Sequence, residues 1–121
     1  MHNVVDSSAW LEYLADTESA GCFSEALEDT ANLVVPVIII YEVFKKVLRE
    51  RGEGEALQTA SLMQSGTVVV LDQDLALEAA RYALPLADSI IFATAVAHQA
   101  MLWTQDVHFQ DLPNVRYFPK G

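Results

Sequence analysis

The chain has 121 residues, a formal net charge of -10, 52% hydrophobic residues and a mean hydropathy of +0.21. That length holds one domain, residues 1–121, with a real core and no room for a second, and the apolar content excludes a disordered chain. The acidic balance argues against a surface that grips nucleic acid all round, because such affinity comes from Lys and Arg neutralising phosphates. No membrane span is expected: the longest apolar run, Leu33 to Tyr41, is broken by Pro36 and falls short of the roughly 20 residues a spanning helix needs. Met1 to Asp6 carries neither a basic segment nor an apolar signal core, so a cytoplasmic protein is expected. The lone Cys22 has no internal partner and, beside Phe23 in a helical pattern, reads as a small packing residue.

In chain order, Val4-Val5 is an apolar segment that stops on Asp6, where a first strand should end. Ser7 or Ser8 can cap a helix through about Leu14, and a second helical segment runs from about Glu18 to Asp29 with Phe23, Ala26 and Leu27 on one face. Leu33-Val34-Val35 reads as a buried strand. Pro36 is placed to open a helix at its first turn, where its missing N–H costs nothing. That helix carries Ile40, Val43, Phe44, Val47 and Leu48 at helical spacing and stops at Gly52. A further helix spans about Glu53 to Gln64. Thr67 to Leu71 is the clearest strand, and Asp72 or Asp74 then caps a helix with Leu77, Ala80, Arg81 and Leu84 that Pro85 terminates. Asp88 to Ala100 is apolar almost all round, as a central buried helix is. Met101 to Thr104 gives a fourth strand, followed by Asp106, and Val115 to Phe118 a short edge strand. Strands alternating with helices predict a three-layer α/β domain, a mostly parallel sheet of four to five strands with helices on both faces.

Four acids stand out. Asp6 and Asp106 each follow a strand closely, and in open α/β sheets ligands bind outside the carboxyl ends of the strands. The plainer reading of Asp6 is an N-cap whose oxygen accepts from the next turn. Asp88 opens the buried helix; because that helix runs antiparallel to the strands, its start is expected at the opposite edge of the sheet. It too reads as an N-cap or first-turn acid favoured by the macrodipole. On a helical wheel Glu42 lies opposite the apolar stripe and beside Lys45, Lys46 and Arg49. That pattern reads either as a solvated face, with a Glu42–Lys46 pair worth about 0.2–0.5 kcal/mol, or as an acid at a metal site whose neighbouring bases meet a phosphate backbone. Four of the seven basic residues, Lys45, Lys46, Arg49 and Arg51, fall within this short stretch.

Val-Val-Asp-Ser-Ser at the start, Ile-Ile-Ile-Tyr-Glu-Val at mid-chain, Leu-Ala-Asp-Ser-Ile-Ile-Phe-Ala-Thr-Ala and then Leu-Trp-Thr-Gln-Asp-Val-His-Phe resemble, in that order and across essentially the whole chain, the PIN-domain ribonucleases. More narrowly they resemble the VapC-type toxins of VapBC toxin-antitoxin pairs. The resemblance implies that Asp6, Glu42, Asp88 and Asp106 converge at one end of the sheet and bind one or two Mg2+ or Mn2+ ions as catalytic acids. Ser7 and Thr104 match small polar positions that support the acids, with local capping the alternative for each. Hard oxygen ligands suit Mg2+, and an ion held there activates water and offsets charge at the scissile phosphate. After Asp106 the chain departs from the pattern: Val107, His108 and Phe109 follow, with Asp111 the next acid, which argues against a second tightly held metal. His108 reads as a structural residue or as a contact to substrate or water.

The resemblance further implies endonucleolytic cleavage of a structured RNA such as tRNA or rRNA, with Lys45, Lys46 and Arg49 as phosphate contacts. It implies a homodimer and a VapB-like antitoxin that wraps the hydrophobic helices and sets an Arg or Lys in the acidic pocket. Trp10, Leu14 and Phe23 could serve either contact or the core. Other classes fit less well. A receiver domain wants an acidic pair after the first strand, where Ser7-Ser8 follow Asp6, and a haloacid-dehalogenase-type phosphatase wants an aspartate where Ser8 stands. A degenerate PIN-like or receiver-like binding or regulatory module keeps all four acids as caps and surface charge.

Overall fold

The computed structural model describes residues 1–120. Its strands are β1 (His2–Val5), β2 (Val34–Pro36), β3 (Thr67–Val69), β4 (Ala100–Thr104) and β5 (Val115–Tyr117); its helices are α1 (Ser7–Leu14), α2 (Gly21–Glu28), α3 (Val37–Arg51), α4 (Glu53–Met63), α5 (Gln73–Ala79) and α6 (Leu86–Ala97). All strand pairs are parallel. β1, β4 and β5 form one ladder, β2 and β3 another, and a single bridge from Asn3 to Leu33 sets β2 beside β1. The spatial order is therefore β3-β2-β1-β4-β5, distinct from the 2-1-3-4-5 order of receiver domains. The chain builds outward from β1 to β3 and then returns to lay β4 on the free side of β1. Strand order reverses between β1 and β4, and at such a switch point the connections leave in opposite directions and open a crevice at the carboxyl ends.

Neighbouring residues along a strand face opposite sides of a sheet. Both members of the pairs Val4 and Val5, Val34 and Val35, and Leu102 and Trp103 are buried, so helices cover both faces, as the apolar runs predict. α6 is the central helix: Ser89 through Ala95 are all buried, and the Thr94 hydroxyl satisfies itself by donating to the Ile90 carbonyl at 2.7 Å. Trp10 and Phe23 belong to this core, Phe23 packing edge-on against Phe118. No helix among the described residues is long and apolar enough to cross a membrane.

Several elements differ from their sequence expectation. α3 buries Ile39, Val43 and Val47, with Ile40 and Phe44 partly buried against the same core; of the expected stripe only Leu48 is out, 43% exposed, and Ile39 joins it. β3 ends at Val69, and Val68 and Val70 are exposed, since this strand has a neighbour on one side only. α5 packs through Leu75 and Ala79, not Leu77 and Ala80, and ends six residues before Pro85. Cys22 is exposed, on the outer side of α2 from Phe23. α6 starts at Leu86, after Pro85.

Two glycines are required by geometry. Gly52 joins α3 to α4 with φ +91°, a conformation that L side chains rarely adopt. Gly66 lies where a Cβ would meet the Leu33 carbonyl oxygen at 2.8 Å and Val35 Cγ2 at 3.0 Å, tightly against the strand that Thr67 joins. Gly66→Ala is expected to destabilise the fold by about 1–3 kcal/mol through overpacking, read from urea unfolding midpoints. Gly54→Ala, on α4 with open space around it, should instead be neutral or stabilise by up to about 1 kcal/mol.

Candidate active site

Asp6 is the first residue past β1. Its N–H donates to the Trp103 carbonyl of β4 at 3.0 Å, so the residue is stitched to the neighbouring strand. The side chain is 3% exposed. Oδ1 accepts from the Ser7 N–H at 2.7 Å as the N-cap of α1, and Oδ2 accepts from the Thr104 hydroxyl at 2.8 Å. Cap and site are thus one carboxylate used at both oxygens. Thr104 also accepts, at 2.9 Å, from the Asp106 N–H. Asp106 in turn accepts from the His108 N–H at 2.9 Å.

Asp88 reaches the same place. His108 Nδ1 lies 2.9 Å from Asp88 Oδ2 and 3.0 Å from Asp106 Oδ1. The expectation that α6 begins at the opposite edge of the sheet is corrected: a helix that feeds a parallel strand runs against it, so its first turn stands level with that strand's last residues. Asp88 is the third residue of α6, not its cap.

Glu42 is also not part of a solvated face. It is half-buried and lines, with Asp6, Asp88 and Asp106, a cavity of about 350 Å³. Lys46 pairs with Glu50 at 3.2 Å, not with Glu42. α3 starts at the carboxyl end of β2, so its second turn stands beside the strand ends, where Ser7 of α1 covers it. No wheel drawn for α3 alone contains that neighbour.

Burial and mutual repulsion set the electrostatics. Burial pushes the Asp6 carboxyl up, with the Asp106 charge adding to it and the Thr104 and Ser7 hydrogen bonds opposing. Glu42 is raised by burial and by the Asp6 and Asp106 charges, against the nearby Ser7 hydroxyl. Asp88 is raised to about 6, by burial and then by Asp106 and Asp6. His108 is raised chiefly by the Asp106 charge. Carboxylates so arranged are relieved by a cation. Asp88, Asp106 and His108 offer ligand atoms within 4.8 Å of one another, and Glu42 Oε1 is buried with no hydrogen-bond partner. Ser8 Oγ and Gln105 Oε1, on residues lining the same cavity, are likewise buried and unpartnered. The oxygen-rich donor set fits a hard divalent ion.

The basic residues fall elsewhere. Lys45, Lys46 and Arg49 are exposed on α3 and none lines the acidic cavity; Lys46 borders a separate groove between α1, α3 and α4. Asp111 is exposed and outside the cavity too. Lys120, Gln105 and Ser8 were missed by the sequence reading. Position could have flagged the first, since Lys120 follows the carboxyl end of β5, the same edge that carries Asp6 and Asp106.

This fold and its acidic switch point define a PIN domain: the family model described as PIN domain matches residues 4–115, and the chain belongs to that family. Among solved structures, a toxin–antitoxin complex from Klebsiella pneumoniae superposes with a TM-score of 0.81 at 19% identity, covering 98% of this chain and 99% of that one. VapBC2 from Rickettsia felis, bound to a DNA fragment from its promoter, gives 0.72 at 11% identity, with 98% of each chain covered. Mycobacterium tuberculosis VapC20, a sarcin-ricin loop cleaving toxin, gives 0.72 at 17% identity, over 91% of this chain and 94% of that one. The chain thus has the fold of the VapC toxins. Among curated proteins none matches the sequence.

A raised carboxyl holds its proton more tightly folded than unfolded, so protonation of Asp88 favours the folded state and that contribution is lost as pH rises through about 6. In chelator, the melting temperature should fall across that range, and Asp88→Asn should flatten the fall. Added Mn2+ should raise the melting temperature more above pH 6 than below it. Differential scanning fluorimetry reads all three, and an unchanged profile in Asp88→Asn would remove Asp88 as the cause.

Proposed function

We propose that the chain is a VapC-type toxin, an Mg2+- or Mn2+-dependent endoribonuclease that hydrolyses RNA phosphodiester bonds and is neutralised by a VapB-like antitoxin. The observation that carries this reading is the meeting of Asp6, Glu42, Asp88 and Asp106, from four separate elements, in one cavity at the strand-order reversal. A buried, unpartnered Glu42 oxygen adds to it. Four acids kept only as caps and surface charge would have no reason to share a cavity in which burial and neighbouring charge raise Asp6, Glu42 and Asp88.

The four carboxylates are the residues that would hold the ion, with Ser7 and Thr104 in support. Bound there, Mg2+ or Mn2+ supplies Lewis-acid activation of water and neutralises charge at the scissile phosphate. The chain's own part is to hold and orient. Thr104 fixes Asp6 Oδ2, and the Ser7 N–H fixes Oδ1. The Thr104 hydroxyl also fixes the backbone at Asp106, so two carboxylates are aimed before any ligand arrives, and preorganised groups lose little on binding. His108 Nδ1 lies within hydrogen-bond reach of both Asp88 Oδ2 and Asp106 Oδ1 and so holds those two side chains together. Nothing covalent is asked of the protein, and Asp6 serves as ligand, not nucleophile.

The substrate in this reading is a structured RNA, tRNA or rRNA, met in the cytoplasm. The Mycobacterium relative, named for cleaving the sarcin-ricin loop, supports an rRNA target as one member of that class. Lys45, Lys46 and Arg49 would contact phosphates away from the cavity. The relatives solved as toxin–antitoxin complexes support the antitoxin, which would cover the exposed Leu48, Leu57 and Leu62 of α3 and α4 and set a basic side chain among the acids. A homodimer belongs to the same reading.

The test is cleavage of total RNA by the purified wild type and Asp6→Asn, with Mg2+, with Mn2+ and with chelator. Metal-dependent cleavage by the wild type, reduced about a hundredfold or more in Asp6→Asn, is expected. Equal activity in both proteins, or none in either with Mn2+, would refute the enzyme reading. A melting temperature indifferent to Mg2+, Mn2+ and chelator would refute the metal site.

A further inference from the structure

We propose that Lys120 binds a phosphate of the RNA strand as it crosses the acidic cavity; the proposal rests on the nuclease reading above and adds to it a residue that sequence comparison of the four acids does not reach. Lys120 is the one Lys or Arg among the residues lining the cavity. The other Lys and Arg side chains lie outside this cavity, most of them beside a surface partner. Lys46, Arg51 and Arg81 pair with Glu50, Glu55 and Glu78, Lys45 lies over the Tyr41 ring and Arg116 over the Trp103 ring. Lys120 borders a cavity holding four carboxylates, yet among the described residues it pairs with none of them. Its ammonium remains available to an anion.

Its placement is fixed by the residues before it. The Phe118 N–H donates to the Thr104 carbonyl at 2.9 Å, continuing the ladder one residue past β5. The Phe118 ring stacks on Trp103 at 6.1 Å and meets Phe23 edge-on at 5.3 Å. Pro119 then holds φ near its one allowed value. Lys120 therefore leaves a pinned backbone at the rim, not a free one.

The site needs such a charge. Even with a divalent ion bound, ionised Asp6, Glu42, Asp88 and Asp106 leave the cavity negative, and an approaching phosphodiester is repelled. A compact, strongly hydrated ammonium on a flexible stem, with three donors, can offset that repulsion for phosphates in a range of poses. Ser8 Oγ and Gln105 Oε1 are buried and unpartnered on residues of the same cavity, and Gln105 is only 4% exposed. The Gln105 amide oxygen can only accept, which suits a ribose hydroxyl or base amine and not a chloride ion, while the Ser8 hydroxyl can donate to a phosphate or accept from a ribose. The occupant with both features is a nucleotide strand.

The experiment measures binding of a fluorescein-labelled single-stranded RNA by anisotropy over a series of KCl concentrations, with Mn2+ present. Every protein carries Asp6→Asn so that the strand stays intact. Mn2+ affinity is measured separately by calorimetry without RNA. Lys120→Gln is expected to weaken RNA binding about three- to tenfold at low salt and to reduce the slope of log Kd against log salt by about 0.7, one single-strand phosphate contact. Lys120→Arg should restore both, and Mn2+ affinity should stay the same in all three. Unchanged RNA affinity and slope in Lys120→Gln would overturn the proposal. So would tighter Mn2+ binding with unchanged RNA affinity, which would make Lys120 an internal counter-ion of the carboxylates. Failure of the parent chain, without Asp6→Asn, to cut RNA would sink the nuclease reading alone, because the anisotropy titration still reads the phosphate contact.

Discussion

The Thr104 hydroxyl has one proton to give and lone pairs to accept with, and it uses both across the junction of β1 and β4. The proton goes to Asp6 Oδ2, and the Asp106 N–H comes in from the other side. Thr104 is wholly buried, so neither bond competes with water, and removal of the hydroxyl would leave a buried carboxylate oxygen and a backbone donor unsatisfied together. Everything else in the site is placed relative to this pair of bonds. α1 leaves Asp6 in the direction its cap dictates, the short turn at Val107 to Phe109 leaves Asp106, and His108 on that turn reaches Asp88.

Around this fixed point the fold sustains an arrangement that its own electrostatics oppose. Burial and like charge raise Asp6, Glu42 and Asp88 together, and the polar partners present satisfy only some of the oxygens. A chain selected for stability alone would place apolar residues there. Sites that break the rules of good packing while the surrounding core obeys them are where function is expected. Here the surroundings do obey: α6 and the central strands are buried almost without interruption.

Asp6 and Asp106 were legible in the sequence because their significance is local, an acid one or two residues beyond a strand. The parallel alternation of strands and helices was legible for the same reason. Asp88 and Glu42 depend on where whole elements stand. Asp88 needs the direction of α6 relative to β4, and Glu42 needs the start of α1 to close over α3. Glu42 on a wheel carries the signature of a solvent face, and only a neighbouring element turns that face inward. Lys120 follows the carboxyl end of β5, but that position gains its meaning only once β5 is laid beside β4. The family resemblance supplied for the acids what local pattern could not, but it held nothing for Lys120, Gln105 or Ser8.

The outer strand β3 has a further consequence. Thr67 to Leu71 is a run without charge or proline, and it forms an edge with Val68, Val70 and Leu71 exposed. Such a segment is a template for pairing with another chain, above all while the protein is still folding. The strand is kept to three paired residues, and Asp72 and Asp74 follow at once, acting as gatekeepers that break the window. Acidity at this edge thus guards the strand against pairing with other chains.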